Sequence, residues 1–479
     1  MHADFQAFLA TLESKGELKK ISTPLDPNLE ITEVADRCMK MPGGGPGLLI
    51  QNPTGYDMPV AINTMGSERR MAIALGVGDV QEIADEIESL LKPEVPASWA
   101  DKVALLKKAG RIAKVPPKTV GSGICQEVVM QGSEVDLGKI PVLTCWPMDA
   151  GPFITLPMVF THDPNTGKRN VGMYRMQVYD RNTTGMHWQM HKVGAAHMAD
   201  SRKPIEVAVA LGGDPAYTFS AIAPLPPGID EMLFAGFIRR EPARLVQAKT
   251  VDIKVPADAE IVLEGYVDPL EKRTEGPFGD HTGYYSLADE FPVFHVTCVT
   301  MRARPVYPAT IVGIPPMEDG YMGKAVERIF LPLIRMTVPE IIDMNLPVEA
   351  CFHNVAFVKI RKRYPGHAFK VINALWGLGG LMFTKFVFVF EDDVDVHDLG
   401  DVLFRIGANC DPVRDSITTK GPIDQLDHAT SLVGFGGKIG FDCTHKTAAE
   451  GFPREWPPVI RMSEAVRSRI DGLWGELGL

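Results

Sequence analysis

The sequence predicts a multi-domain protein in which two α/β segments flank a β-rich centre. Helical patterns and short strand patterns alternate in residues 1–115 and again in residues 316–445. Between them, residues 116–315 contain short β-rich runs that Pro and Gly divide. A helical tail, residues 446–479, completes the predicted organisation. The length of 479 residues allows two to four domains, each with its own core.

The N-terminal α/β segment begins with a predicted amphipathic helix. Phe5, Phe8, Leu9 and Leu12 recur at helical spacing, and Gly16 lies near the end of this pattern. Further along, GLLIQN and MPVAIN have strand character, and VQEIADEIESLLK and WADKVALLKKAGRIAK have helical character. The Pro-containing stretch VPPKTV then predicts a linker to the centre.

The central segment is predicted to be a β-barrel or β-sandwich, because its strand patterns are short and regularly interrupted. One run, NVGMYRMQVYD at residues 170–180, is interpreted as a single strand. Its alternation would place Met173, Arg175 and Gln177 on one face. One predicted helix, around IDEMLFAGFIRR, interrupts the strands.

The C-terminal segment returns to alternation, with helical patterns in KAVERIFLPLIRMTV and DLGDVLFRIGA and a strand in VEACFHNVAFVKI. The apolar stretch 371–390 has the length of a membrane span. Asn373, Lys385 and a cluster of three glycines interrupt it, so a short helix, a turn and a buried strand FVFVF are predicted instead.

The terminal helix carries an apolar stripe formed by Val466, Ile470, Leu473 and Trp474. It follows the Pro-rich stretch FPREWPP, so we expect it to reach a neighbouring subunit.

Composition argues against several classes of protein. The net charge of −11 disfavours binding to nucleic acid, which requires clustered Lys and Arg. The seven cysteines form no CxxC pair, so neither a zinc ribbon nor a disulfide framework is predicted. Reduced thiols fit a cytoplasmic location, and the N-terminus lacks the basic start and apolar block of a signal peptide.

The stretch EGPFGDHTGYYS, residues 275–286, is the strongest candidate for chemistry. Pro277 disfavours helix at the preceding residue, and Gly279 is expected to adopt a backbone conformation that other residues avoid. Glu275 and Asp280 would therefore lie on a defined turn and point into a common space. Neighbouring acids push their proton affinities apart, which suits acid–base chemistry. A solvated surface turn is the alternative interpretation.

Two further stretches add candidates. If Arg175 lies inside, it needs a carboxylate, and Glu275 or Asp280 would serve, while its guanidinium could also bind a substrate carboxylate through two hydrogen bonds. The stretch MHWQMHKVG, residues 186–194, is dense in polar and aromatic side chains. A hard divalent ion, Mn²⁺ or Mg²⁺, could be bound by a mixed ligand set without thiolate: Asn170, His191 and Glu231.

Several of these stretches, taken together and in order, resemble a known family. The blocks NVGMYR, HWQMH, EMLFAG, EGPFGDHTGYY, TKFVFV, GPIDQLDHAT and GFGGKIGFD follow one another as in the UbiD-type decarboxylases, which use prenylated FMN. The similarity extends over nearly the whole chain and is greatest to the 4-hydroxy-3-polyprenylbenzoate decarboxylase branch. It implies that the centre is a flavin-reductase-like split β-barrel and that the terminal helix packs on a partner subunit.

The resemblance also implies roles for individual residues. The family's catalytic triad falls on Glu275, Arg175 and Asp280, with Asp280 as the proton donor. Its ligands to Mn²⁺ (or Mg²⁺), with K⁺ as a further candidate ion, fall on Asn170, His191 and Glu231. Contacts to prenylated FMN fall on Met173, Tyr174, Arg175, His187, Trp188, Gln189, Lys192 and Lys385.

The chain departs from the polyprenylbenzoate branch in one stretch. That branch typically has Arg-Trp-Leu followed by His-Arg-Gly, whereas this sequence has His187-Trp188-Gln189 and His191-Lys192-Val193. The departure changes the side chains predicted to contact the cofactor at these positions, and it weakens an assignment to ubiquinone synthesis.

The expected activity is reversible, non-oxidative decarboxylation of an aromatic or α,β-unsaturated acid, with 4-hydroxy-3-polyprenylbenzoate or a related quinone precursor as one substrate. A phenolic-acid (de)carboxylase of aromatic catabolism and a non-catalytic flavin-binding subunit of a carboxylase complex are the alternatives. Expected partners are a small aromatic acid and the flavin prenyltransferase that supplies the cofactor. A homodimer or homohexamer without a transmembrane segment is expected, and a prenylated substrate would add peripheral membrane contact.

Overall fold

The computed structural model of the chain describes residues 1–92, 115–188, 203–226 and 228–478. The helix predicted at the N-terminus is confirmed: Phe5, Phe8, Leu9 and Leu12 are buried on one face. Its first turn is capped by the side chain of Asp4, which accepts a hydrogen bond from the Ala7 backbone N–H at 2.8 Å. The N-terminal elements are α1 Phe5–Ser14, β1 Leu18–Ile21, α2 Glu30–Met39, β2 Gly47–Ile50, β3 Val60–Ile62, α3 Glu68–Ala74 and α4 Gln81–Leu91.

The central region contains most of the strands. Its elements are β4 Lys118–Val120, β5 Val128–Gln131, β6 Phe153–Ile154, β7 Met158–His162, β8 Arg169–Met173, β9 Met176–Gln177, β10 Thr183–Gly185, β11 Ile205–Leu211, α5 Pro215–Ser220, α6 Glu231–Arg239, β12 Arg244–Gln247, β13 Lys254–Pro256, β14 Ile261–Glu275, β15 Phe278–Gly279, β16 Tyr285–Ser286, β17 Asp289–Met301 and β18 Tyr307–Pro308.

An antiparallel sheet forms the frame of this centre. Its strands follow the order β10-β17-β14-β11-β7-β8, and β5 also pairs with β17. Within the part of the chain that the structure describes, this order does not close into a barrel, because β10 and β8 stand at its two ends. Strand β18 instead pairs with β3, which extends the N-terminal sheet with a segment from the centre.

Two predictions about local structure in this region are wrong. The end of VPPKTV is not only a linker, since it forms β4, a three-residue strand that pairs in parallel with β12. The run NVGMYRMQVYD is not one strand. It divides into β8 and β9, which pair with different partners, β7 and β6, and Arg175 lies in the break between them. The helix predicted in WADKVALLKKAGRIAK lies outside the described residues.

The C-terminal region has a mixed sheet in the order β19-β20-β21-β23-β22, in which β20, β21 and β23 run parallel. The apolar stretch 371–390 contains the end of a helix, a short 3₁₀ turn and a strand, as predicted. Among the described residues, no helix is long and apolar enough to span a membrane. The elements are α7 Glu318–Thr337, β19 Ile341–Asn345, β20 Val355–Ile360, α8 His367–Trp376, β21 Phe386–Phe390, α9 Leu399–Asn409, β22 Ser416–Pro422, β23 Phe435–Asp442 and α10 Glu464–Leu473.

The core of the centre offers a direct test of the sheet. Leu263 and Leu270 both belong to β14, but Leu263 is fully buried whereas Leu270 is 87% exposed. We expect Leu263→Ala to lower the free energy of unfolding by about 2–5 kcal/mol, because it removes buried methyl groups and leaves a cavity. Leu270→Ala is the matched control and should change the free energy of unfolding by less than about 0.5 kcal/mol. Urea denaturation of both variants would measure these changes. Equal effects would contradict the sheet's register.

Candidate active site

The stretch 275–286 forms a tight hairpin at the end of β14. Glu275 ends that long strand, and Phe278–Gly279 then pairs with Tyr285–Ser286. The bend is made by Gly276, whose φ of +87° favours glycine. The sequence predicts an unusual backbone conformation for Gly279, which is wrong, because Gly279 is required by the close approach of Trp146. A Cβ there would lie 2.2 Å from Trp146 Cδ1, well inside the contact distance.

Side chains outside the hairpin hold it in position. Asp149 accepts hydrogen bonds from the backbone N–H of Gly279 at 2.7 Å and of Trp146 at 2.9 Å. The amide oxygen of Gln177 accepts one from the backbone N–H of Gly276 at 2.8 Å. These anchors were not predicted, because nothing in the local sequence of Asp149 or Gln177 marks a partner more than ninety residues away.

Arg175 joins the two acids of the hairpin. Its Nε donates to Glu275 Oε1 at 2.9 Å, one terminal nitrogen donates to Asp280 Oδ2, and the other donates to Ser286 Oγ at 3.1 Å. The guanidinium also lies over the ring of Phe278, 4.7 Å from its centroid. The position of Arg175 in the break between two strands lets its side chain reach this point. The structure therefore brings the three predicted triad residues into one cluster.

The cluster is almost completely shielded from solvent. Glu275 is fully buried, and its Oε2 has no hydrogen-bond partner among the described residues. Burial alone would raise the pKa of Asp280, but the charge of Arg175 and the hydrogen bonds from His281 outweigh burial and hold that pKa well below its usual range. Asp280 is therefore a carboxylate when the site contains only these side chains.

His187 extends the cluster on the side of Glu275. Its Nδ1 lies 2.9 Å from Glu275 Oε1, and its ring packs against Phe291 with centroids 4.2 Å apart. Trp188, the next residue, is buried, and its Nε1 has no hydrogen-bond partner among the described residues. These are two of the residues predicted to contact a flavin.

The other predicted flavin contacts are dispersed. Tyr174 is buried in the main core, and Met173 packs against the core beside it. Lys385 belongs to the C-terminal region, where it forms an ion pair with Asp427 and lines a groove of about 600 Å³ along the sheet. Gln189 and Lys192, like the predicted metal ligand His191, lie outside the described residues.

The remaining predicted metal ligands lie close together at one edge of the central sheet. Asn170 is in β8, and Glu231, the first residue of α6, accepts a hydrogen bond from the neighbouring Val171 backbone N–H at 3.1 Å. Burial raises the pKa of Glu231 to about 7, although backbone hydrogen bonds oppose this effect. Asn170 Nδ2 is buried without a partner among the described residues.

His281 and two residues of the C-terminal region, His353 and Asp424, complete the surroundings of Asp280, and sequence reasoning missed their roles. His281 Nδ1 lies 2.8 Å from Asp280 Oδ1, and His281 Nε2 lies 3.0 Å from His353 Nε2. His353 is in turn 3.9 Å from Asp424 Oδ2. The position of His281 directly after Asp280 was the only signal in the sequence for these contacts, because His353 and Asp424 belong to loops far along the chain.

Comparisons with known proteins agree with the domain order. Family models of 3-octaprenyl-4-hydroxybenzoate carboxy-lyase (UbiD) match residues 9–88 as the N-terminal domain, 118–315 as the Rift-related domain and 320–443 as the C-terminal domain. An uncharacterized protein of Aquifex aeolicus is 51% identical over 482 residues, covering 100% of this chain and 99% of that protein. One from Archaeoglobus fulgidus is 50% identical over 481 residues, covering 99% and 98% respectively.

Solved structures show the same architecture. The UbiD-class enzyme HmfF from Pelotomaculum thermopropionicum, in complex with FMN, has a TM-score of 0.79 at 28% identity and covers 95% of this chain and 97% of its own. Vanillic acid decarboxylase from Sedimentibacter hydroxybenzoicus, in closed form, has a TM-score of 0.86 at 25% identity and covers 100% and 99%. The family resemblance drawn from the sequence is thus confirmed, and the chain belongs to the UbiD family of carboxy-lyases.

Proposed function

We propose that the protein catalyses the reversible, non-oxidative decarboxylation of an aromatic carboxylic acid with prenylated FMN as its cofactor. The observation that carries this proposal is the buried contact of Arg175 with both Glu275 and Asp280. Two similar structures support it: HmfF is described in complex with FMN and with prFMN, and vanillic acid decarboxylase is named for an aromatic acid.

The polar side chains of Asn170, Trp188 and Glu231 fit a bound flavin phosphate and its metal ion. Asn170 and Trp188 each have a buried nitrogen without a partner among the described residues, which costs stability unless a ligand satisfies it. Glu231 is a partly buried carboxyl whose charged form a divalent cation would stabilise. We therefore propose that Asn170 and Glu231, with His191, hold Mn²⁺ or Mg²⁺, and that K⁺ is a further candidate ion. Met173, Tyr174, Arg175, His187, Trp188, Gln189, Lys192 and Lys385 remain the proposed flavin contacts.

Loss of CO₂ from an aromatic acid leaves electron density that no side chain can delocalise, and the cofactor when bound supplies that electron sink. The side chains have other tasks. A guanidinium has five N–H donors, and the contacts of Arg175 among the described residues engage three of them. The other two are available to bind a substrate carboxylate and orient it.

The departing CO₂ must be replaced by a proton, which we assign to Asp280 as the donor. Glu275 accepts hydrogen bonds from Arg175 and lies against His187, so it fixes both side chains. The closed surroundings exclude water and prevent stray protonation.

The substrate is best identified with holoenzyme produced together with a flavin prenyltransferase. Mass spectrometry of mixtures of aromatic acids, run with and without added CO₂, would reveal the substrate and the favoured direction. The set should include a 4-hydroxy-3-polyprenylbenzoate, a related quinone precursor and simple phenolic acids. Release of CO₂ from any of them supports the proposal. Prenylated flavin bound without turnover of any acid would favour a flavin-binding subunit of a carboxylase complex.

The terminal helix supports self-association. None of the residues of α10 is buried, and Trp474 directly after it is 52% exposed. An apolar stripe on an isolated, exposed helix is typical of a surface that a second copy covers. We propose a homodimer or a homohexamer in which α10 packs on a neighbour.

The role of Asp280 predicts a specific loss. Asp280→Asn cannot donate the replacing proton, so we expect decarboxylation to fall by about 10²-fold or more. The flavin absorbance of the purified variant should be unchanged, because Asp280 is not among the proposed flavin contacts. Asp252→Asn, at an exposed position, is the control. Near-wild-type turnover by Asp280→Asn would contradict the assignment.

The proposed metal site predicts a change in composition. Glu231→Gln should lower the manganese bound per chain, because the amide lacks the charge that attracts a hard cation. Elemental analysis of protein purified with Mn²⁺ would measure this change. The exposed Glu241→Gln should retain the wild-type content. Equal manganese in both variants would place the ion elsewhere.

The proposed interface predicts a change in size. Trp474→Glu places a charge on the apolar stripe, so we expect a smaller species in light scattering coupled to gel filtration. Glu476→Gln, in the same turn, is the control and should keep the wild-type mass. An unchanged mass for Trp474→Glu would exclude α10 as the main contact.

A further inference from the structure

Asp280 has a difficulty as a lone proton donor. Its side chain accepts hydrogen bonds from Arg175 at Oδ2 and from His281 at Oδ1, and it is only 5% exposed. These contacts favour the carboxylate, as its lowered pKa indicates. Each decarboxylation nevertheless consumes one proton, so a second group must supply Asp280 within the site.

His281 is the group placed to do so. Its Nδ1 lies 2.8 Å from Asp280 Oδ1, which is a hydrogen-bond distance. Its Nε2 lies 3.0 Å from His353 Nε2, and the ring of Phe352 packs nearby with its centroid 5.8 Å away. Both nitrogens are thus engaged, so the ring is fixed with one nitrogen facing the acid.

The charges around His281 favour its protonated form. The negative charges of Asp280, Asp319 and Asp424 act directly on His281. The charge of Arg175 acts on Asp280, and the charges of the Lys385–Asp427 ion pair act on His353. Burial alone would lower the pKa of His281, but its hydrogen bond to Asp280 and the acidic neighbours outweigh burial and raise it to about 9. At neutral pH the ring therefore carries a proton that is absent from Asp280.

We propose, on the basis of the function proposed above, that the proton donor is the Asp280–His281 pair, in which His281 holds the proton that Asp280 passes to the product. The bond between Nδ1 and hydrogen breaks as an O–H bond forms on Asp280. That O–H bond then breaks as the substrate carbon takes the proton with the electron pair left by CO₂. The pair ends each turnover one proton short, and it regains that proton from solvent water at His281, whose side chain is 16% exposed.

The same side chains could instead form a metal site. His281, His353 and Asp424 each offer one ligand atom, and these atoms lie within 4.8 Å of one another. The distance between the two histidine nitrogens is that of an N–H···N hydrogen bond, whereas Asp424 is 3.9 Å from His353. The geometry therefore favours the proton-holding pair, and metal binding is an outcome of the test.

The pair predicts a characteristic pH dependence. A group whose pKa is raised keeps its proton until the pH passes that value, so wild-type kcat should fall as the pH rises through about 9. Without His281, the proton rests on Asp280 alone. Activity should then survive only at lower pH.

The decisive variant is His281→Asn, because its amide nitrogen can donate to Asp280 from the position of Nδ1 but carries no titrating proton. At pH 8 we expect kcat of the holoenzyme to fall by about 10²-fold or more, with KM within about threefold and the alkaline limb of the kcat profile moved to lower pH. Added imidazole should restore part of the rate. His295→Asn is the matched control, since His295 pairs with Glu271 at 2.7 Å elsewhere in the sheet.

A second measurement needs neither cofactor nor substrate. In nuclear magnetic resonance spectra of ¹³C-labelled histidines in the cofactor-free protein, the signal lost in His281→Asn should titrate near pH 9, and Asp280→Asn should move it well below that value. A signal already titrating near 6.5 in the wild type would overturn the proposal.

Three further results would also overturn the proposal. They are an unchanged alkaline limb in His281→Asn, an equal loss of kcat at every pH, and one equivalent of Zn²⁺ retained by the wild type but not by His353→Gln. Failure of the wild type to release CO₂ would instead refute the proposed function. The histidine titration would remain interpretable in that case, so the two failures are distinguishable.

Discussion

The ion-pair cluster around Arg175 is the constraint on which the rest of the site depends. One buried guanidinium binds two buried carboxylates that come from a different part of the chain, one hundred and one hundred and five residues away. Removing charged groups from water costs several kcal/mol for each ion, and close pairing repays this cost only with good geometry. The backbone around the cluster must therefore hold its donors and acceptors within tenths of an ångström.

Local structure holds both segments of the cluster in place, the strand break at Arg175 and the hairpin that contains the two acids. The strand run that contains Arg175 breaks before it, so the side chain leaves the pleat of the sheet and turns toward the hairpin. The hairpin is fixed by Asp149 and Gln177, and Trp146 fills the space that a side chain at Gly279 would need. These contacts stabilise a short, irregular segment that its own few backbone hydrogen bonds would leave flexible.

Part of this arrangement could be predicted from the sequence. The stripe of α1 was recoverable from spacing alone, because a 3.6-residue period depends only on near neighbours. The turn after Glu275 was recoverable from Gly and Pro, although the unusual backbone conformation predicted for Gly279 occurs at Gly276. Crowding against Trp146 is a tertiary effect that leaves no trace in the local sequence.

Other features depended on long-range packing and could not be predicted. The break at Arg175 follows from pairing with two different strands, and β4 exists only because β12 lies beside it. His353 meets His281 across seventy-two residues, and neither stretch indicates the other. The charge state of Asp280 depends on that same packing, since isolated acids in a turn would have ordinary proton affinities.

The shared guanidinium also limits how this sequence can diverge. Replacing either acid with a neutral residue leaves Arg175 undercompensated in a nearly dry environment, and replacing Arg175 leaves two carboxylates facing each other. Single-step substitutions at these positions should thus be selected against for folding as well as for turnover. Descendants of this chain that abandon decarboxylation would be expected to lose the three residues together.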